Sequence, residues 1–136
     1  MNVRRNIKSD VEQINELFGQ FAKAEYSYDN HMYMTKHLIA QERIISQFYK
    51  YISGKCLDVA TGTGTIARLL AKNTTAEIYG IDFNKDMIKV ANINSHKDDV
   101  NIKFRVADAG NIPYKDNFFD ALTCSYGFYW FYGKKK

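Results

Sequence analysis

The stretch LDVATGTG, Leu57 to Gly64, constrains this chain more than any other part of it. It is an apolar run carrying one aspartate, followed by glycines at Gly62 and Gly64 and then by a helical pattern. Glycine at both positions frees the backbone for the tight turn that carries a strand into a helix. KCLDVA (55–60) accordingly reads as a strand and GTIARLLAKN (64–73) as a helix. The rhythm then repeats. EIYGID (77–82) is a second strand, and NKDMIKVANINSH (84–96) a helix with Asn84 as its N-cap. IKFRVA (102–107) is a third strand, and beyond the loop AGNIPYKDNF comes a fourth, FDALTCSY (119–126). Strands alternating with helices predict parallel strands joined by right-handed crossovers, hence a doubly wound α/β sheet.

Upstream of Gly54 the pattern is helical throughout. Ser9 with Glu12 three residues on gives a capping box, and Val11, Ile14, Leu17, Phe18 and Phe21 recur at helical spacing. Thr35 to Ile52 predicts a second helix with Leu38, Ile39, Ile44, Ile45, Phe48 and Ile52 on its apolar side. Gly54 suits the left-handed position that ends it. The chain thus divides into a helical segment, 1–53, and a sheet-forming part, 54–136, within one structural domain.

Composition narrows the function classes. With 46% apolar and 15% aromatic residues the chain is globular. Its net charge of +4 hints at nucleic acid, but Arg4, Arg5, Lys8 and Lys134 to Lys136 lie at the ends. Without those six, 13 basic residues face 15 acidic ones, so no basic binding face and no nucleic-acid partner is expected. Cys56 and Cys124 each sit in an apolar run and behave as small hydrophobes rather than as a disulfide framework. The sequence has no transmembrane-length apolar stretch and no signal core, which predicts a soluble cytoplasmic protein. His31, His37 and His96 are scattered without metal-ligand spacing, so no metal is expected.

Which ligand the glycine turn serves depends on its neighbours. A phosphate-binding P-loop would end in GK[ST], and Gly64 is followed by Thr65-Ile66. A dinucleotide site fits better, since Gly62 to Ala67 matches GxGxxG/A and Asp82 ends the next strand. Asp58 and Asp108 favour another answer. A carboxylate inside a buried first strand is costly unless something positive offsets it. S-adenosylmethionine (SAM) carries a sulfonium and an ammonium and no phosphate, so Asp58, Asp82 and Asp108 at successive strand ends suit it. The same residues also have plain structural readings: a tight turn at the glycines, a helix cap at Asp82, a turn at Asp108.

Four segments resemble the class I SAM-dependent methyltransferases, and within them the ubiquinone/menaquinone biosynthesis C-methyltransferase family. They are FAKAEYSYDNHMYM (21–34), LDVATGTG (57–64), GIDFNKDMIKVA (80–91) and VADAGNIPYKDNFFDALTCSYGF (106–128), in family order and spacing. The resemblance implies a Rossmann-like sheet of the class I type, SAM as cofactor and a small-molecule methyl acceptor. It implies that Gly62 and Gly64 let the backbone approach the methionine part of SAM, where Thr63 offers amide and hydroxyl groups. Asp82 would take the ribose hydroxyls, Asp108 the adenine amino group, Ala109 the adenine edge, and Ser125 a further donor contact. Phe83 and Met87 are candidates for packing on the adenine, with a core role as the alternative. Tyr28, Asp29 and His31 lie in the connector expected to cover the site, and none of them is assigned as a catalytic base.

The resemblance breaks off after Gly127. Tyr129 stands where the quinone family has an arginine, and FYWFYGKKK stands where it continues through three more strands. The expectation is a C-terminally truncated member whose fourth strand is left as an edge, with a homodimer formed through that strand and the aromatic run 128–132. Two other functions compete with an active enzyme: a non-catalytic SAM-binding fragment or subunit that needs a partner to complete the fold, and an NAD-binding module.

Overall fold

A computed structural model describes residues 12, 13, 15–17, 19, 20 and 32–125, of which 32–38 are described by their backbone alone. The described residues between 12 and 20 are helical. Ser9, the connector residues Tyr28, Asp29 and His31, and the run 128–132 lie outside the described residues. Helix α1, Met32–Ser46, runs through a turn into a short 3-10 helix at Tyr49–Tyr51. Strand β1 (Lys55–Val59), helix α2 (Thr65–Asn73), strand β2 (Glu77–Asp82), helix α3 (Lys85–Lys97), and strands β3 (Ile102–Val106) and β4 (Ala121–Cys124) follow.

The four strands form one parallel sheet in the order β3-β2-β1-β4. The chain winds outward from β1 to β3 and then returns to the other side of β1. That reversal makes the gap above β1 and β4 the switch point, where open α/β sheets bind ligands. Asp58 pairs in register with Gly80 on one side and Thr123 on the other, so β1 carries its aspartate through the middle of the sheet.

Each face of the sheet has its own core. Cys56, Ile78 and Ile102 pack with Ile66, Ala67 and Leu70 of α2, and with Ile45, Tyr49 and Ile52 from the end of the first helical region. Leu57, Val59, Tyr79 and Ile81 point the other way, as strand alternation requires. No described helix supplies that cover; Ala107, Ala109, Ile112, Tyr114, Phe118 and Phe119 of the β3–β4 connection do. The rings of Tyr79, Tyr114, Phe118 and Phe119 meet mostly edge to face, with centroids 4.9–5.6 Å apart. Such pairs add to simple area burial.

Two expectations are corrected here. The second helix stops at Ser46 rather than Ile52, and its expected apolar side is largely in water, with Ile39 54%, Ile44 58% and Phe48 49% exposed. The stripe that packs keeps Ile45 and Ile52 of the expected side and adds Tyr49. The two cysteines also differ. Cys56 is buried, and burial with the nearby Asp58 charge pushes its thiol up to about 11, whereas Cys124 on β4, at the edge of the sheet formed by the described residues, is exposed. The elements from β1 to β4 match the expected ones to within two residues at each end, and Asn84 caps α3 by accepting from the N–H groups of Asp86 and Met87.

Candidate functional site

The turn after β1 is built on alternating left-handed residues. Ala60, Gly62 and Gly64 have φ of 54°, 57° and 82°. The two glycines are there for different reasons. A Cβ on Gly64 would lie 2.8 Å from Phe104 Cζ and 3.2 Å from Ala91 Cβ, so Gly64 lets β3 and α3 close against the turn. A Cβ on Gly62 would meet nothing within 4 Å. Gly62 therefore presents bare backbone to open space. Ala60 pays a steric cost of about 1–2 kcal/mol for its conformation.

Thr61 fixes the turn from the middle. Its N–H donates to Ile81 O and its carbonyl accepts from Gly64 N, both at 2.9 Å. Its hydroxyl donates to Asp58 Oδ2 at 2.7 Å, while the Thr123 hydroxyl donates to Asp58 Oδ1 at 2.7 Å. Asp58 is 2% exposed, so its carboxylate lies beneath the turn rather than in the open space above it. Burial pushes it up to about 6; the bonds from Thr61 and Thr123 pull downward, the nearby Asp82 charge adds to the rise, and the Ala67 N–H opposes it.

Asp82 ends β2 beside the turn. One oxygen accepts from Gly62 N and the other from Asn84 N, each at 2.9 Å. Burial raises its pKa, with the Asn84 and Gly62 bonds opposing. Each carboxylate oxygen has two acceptor positions, so this arrangement uses one on each. Next to Asp82 a cavity of about 370 Å³ opens between the helical residues Asn15, Glu16, Gly19 and Gln20 and residues Phe83 to Asp86 with Val106. Phe83 is 53% and Val106 49% exposed, while Met87 is 2% exposed and belongs to the core. The Asn84 side chain ties this wall down, donating to Asn15 O at 2.6 Å and Asn15 Oδ1 at 2.8 Å.

The remaining expected site residues are placed less closely. The Ala107 N–H donates to Asp82 O at 2.9 Å, which brings the start of the β3–β4 connection to the end of β2. Asp108 follows, exposed, with Oδ1 accepting from Gly110 N at 2.8 Å. Ala109 packs on the second core. Thr63 is 3% exposed, and its carbonyl accepts from Asn94 Nδ2 at 3.3 Å. Ser125 is half-buried directly after Cys124, the register partner of Val59. Sequence reasoning missed Thr61, Gly80, Val106 and Thr123. A threonine beside a glycine and a threonine in an edge strand carry no signal in themselves; only the register of β1 against β4 brings both to Asp58.

Among the described residues no group of His, Cys, Asp and Glu could hold a metal ion, and no helix is long and apolar enough to cross a membrane.

Comparison with known proteins bears on the family and the fold. The pattern of a family described as a methyltransferase domain matches residues 56–136. Demethylmenaquinone methyltransferase from Staphylococcus aureus (strain MRSA252) is 31% identical over 122 residues, which is 88% of this chain and 50% of that protein. The chain spans about half the length of the curated relatives it matches. A Methanococcus maripaludis structure assigned as an S-adenosyl-L-methionine-dependent methyltransferase superimposes with a TM-score of 0.62 at 24% identity, over 98% of this chain and 56% of that one; it bears on the fold alone. The Pyrococcus abyssi tRNA (uracil-54, C5)-methyltransferase, solved with S-adenosyl-L-homocysteine, gives a TM-score of 0.54 at 28% identity, over 62% of this chain and 20% of that one.

Proposed function

This chain belongs to the methyltransferase-domain family, and we propose that it binds SAM along the carboxyl edge of its sheet and passes the methyl group to a small molecule. The observation that carries the reading is Gly62, whose left-handed backbone faces open space while its N–H sits on Asp82. A Cβ there would fill the room that a ligand needs to lie against the main chain. Asp82 keeps one acceptor position on each oxygen, which suits two neighbouring ribose hydroxyls. The exposed sides of Phe83 and Val106 suit an adenine ring, and Asp108 suits its amino group. Gly62, Thr63 and Gly64 supply the backbone beneath the methionine part, with Ser125 across the switch point on the β4 side.

Charge separates SAM from a dinucleotide. Burial already raises the carboxyls of Asp58 and Asp82, so a pyrophosphate beside them would add to an existing cost. A sulfonium and an ammonium reduce it. When bound, SAM supplies a methyl group already activated by its sulfonium. The protein's part is to hold the donor still and keep its methyl in line with the acceptor. A quinone-type ring carbon is the acceptor favoured by the demethylmenaquinone relative and by the likeness of the connector 21–34 to the quinone family. The edge strand β4, with Leu122 58% exposed, supports a homodimer contact.

Calorimetric titration with SAM and with NAD tests the donor. Submillimolar SAM binding is expected, with Asp82→Ala at least tenfold weaker because charged hydrogen bonds worth about 1.5–3 kcal/mol each are lost. No SAM affinity below the millimolar range, or a preference for NAD, overturns the proposal. Labelled methyl transfer from SAM to reduced demethylmenaquinone tests the acceptor.

A further inference from the structure

We infer that Thr61 and Thr123 are positioning residues for the methyl donor, acting through Asp58, which they clamp from opposite sides beneath the glycine turn. The inference rests on the SAM reading above. Asp58 is a buried carboxylate, and no lysine or arginine among the described residues pairs with it. Its two oxygens take one hydroxyl each, from the turn and from β4. A helix cap or a strand pair alone needs neither a charge nor two clamps. Replacing the carboxylate by an apolar residue would remove the desolvation cost altogether, so holding the charge in place points to a use for it.

That use is electrostatic. Thr61 stands between the left-handed residues Ala60 and Gly62, and its N–H, carbonyl and hydroxyl are all engaged. The Thr61–Asp58 bond therefore sets both where the Gly62 backbone points and where the negative charge sits under it. Thr123 holds the other oxygen from β4, the strand on the far side of the switch point, two residues before Ser125. The charge is thereby fixed at the base of the crevice in which a sulfonium and an ammonium would lie. It acts through the turn rather than by touching the ligand.

The test compares Thr61→Val, which keeps the shape and removes the hydroxyl, with Thr61→Ser, which keeps the donor. Thr123→Val is a second clamp variant should Thr61→Val fail to fold. Affinity for SAM and for S-adenosylhomocysteine is measured by calorimetry from pH 5 to 8, with circular dichroism as the check on folding. A bound cation favours the ionised carboxylates, so wild-type SAM affinity rises with pH through about 6. The titratable groups acting on Asp58 are Asp82 on β2 and Cys56 on β1. Removing a clamp raises Asp58 further, so the valine variants bind SAM more weakly at pH 6.5, about threefold for a rise of one pH unit, and their rise moves to higher pH. Thr61→Ser restores both, and the neutral thioether of S-adenosylhomocysteine gives a shallower dependence. Folded valine variants with wild-type SAM affinity and an unshifted pH profile overturn the inference and leave the SAM reading intact. A wild-type chain that binds no SAM at any pH overturns both.

Discussion

Phe104 is wedged between two glycines, and the sharpest structural prediction concerns the second of them. A Cβ on Gly80 would sit 2.6 Å from Phe104 Cδ1, 2.7 Å from Phe104 Cε1 and 3.1 Å from Thr61 Oγ1. Carbon contacts are most favourable near 3.5–4.0 Å, so the ring must retreat by about 1 Å in Gly80→Ala. Its other side offers no relief toward Gly64, whose virtual Cβ already lies 2.8 Å from Phe104 Cζ. Overpacking of this kind costs about 1–3 kcal/mol, and the entropy that alanine removes from the unfolded chain returns about 0.4–1. The net expectation is a loss of about 1.5 kcal/mol, a fall of about 1 M in urea midpoint for a slope near 1.5 kcal/mol/M. In a Phe104→Leu background the same substitution should cost under about 0.5 kcal/mol, giving a coupling of about 1 kcal/mol. Urea unfolding of the four proteins, followed by circular dichroism, measures this. Equal costs in both backgrounds, or a neutral Gly80→Ala with Phe104 present, would refute the wedge.

The other predictions use the same assays. Because folding raises Asp58 to about 6 from an unfolded value of 3.8, the native state holds that proton more tightly, and ligand-free stability should fall as pH rises from 4 to 7, by up to about 3 kcal/mol from this group. Glu77 and Asp98 are held below their ordinary values by Lys103 and Lys72 respectively, and stabilise in the opposite sense only at lower pH; a midpoint that climbs between pH 5.0 and 7.5 refutes the Asp58 assignment. Ala60→Gly should stabilise the chain by about 0.5–1 kcal/mol, the relief of left-handed strain less the added freedom of the unfolded chain, and a lower urea midpoint would argue against it. If β4 joins a second copy, sedimentation should show a dimer at micromolar concentration that Leu122→Lys shifts toward monomer. An unchanged sedimentation profile would locate any contact elsewhere.

Much of the sheet was legible because its punctuation is local. Asn84 ahead of Lys-Asp-Met marks a helix start through its own side chain, and EIYGID is closed off by residues that do not extend a strand. The apolar side read for α1 was too wide. It held Ile45 and Ile52, which pack, together with Ile39, Ile44 and Phe48, which do not, and the turn at 47–48 followed by the 3-10 residues is what narrows it and brings in Tyr49. Cys124 failed for another reason: its apolar run was read as burial, although the fourth strand was itself expected at an edge, where one side of a strand meets water. The acidic residues at successive strand ends were readable as a set. Their separate geometries were not, since Asp58 turns inward to two hydroxyls 3 and 65 residues away while Asp82 turns toward Gly62.

The register of β1 also sets two chain closures of different length. Asp58 meets Gly80 across 22 residues of chain but meets Thr123 across 65. The longer closure costs about 1 kcal/mol more in chain entropy. In the folded sheet the strand that covers Asp58 from β1's outer side is also the one that brings the Thr123 hydroxyl, so burial of the charge and its second clamp come from one element.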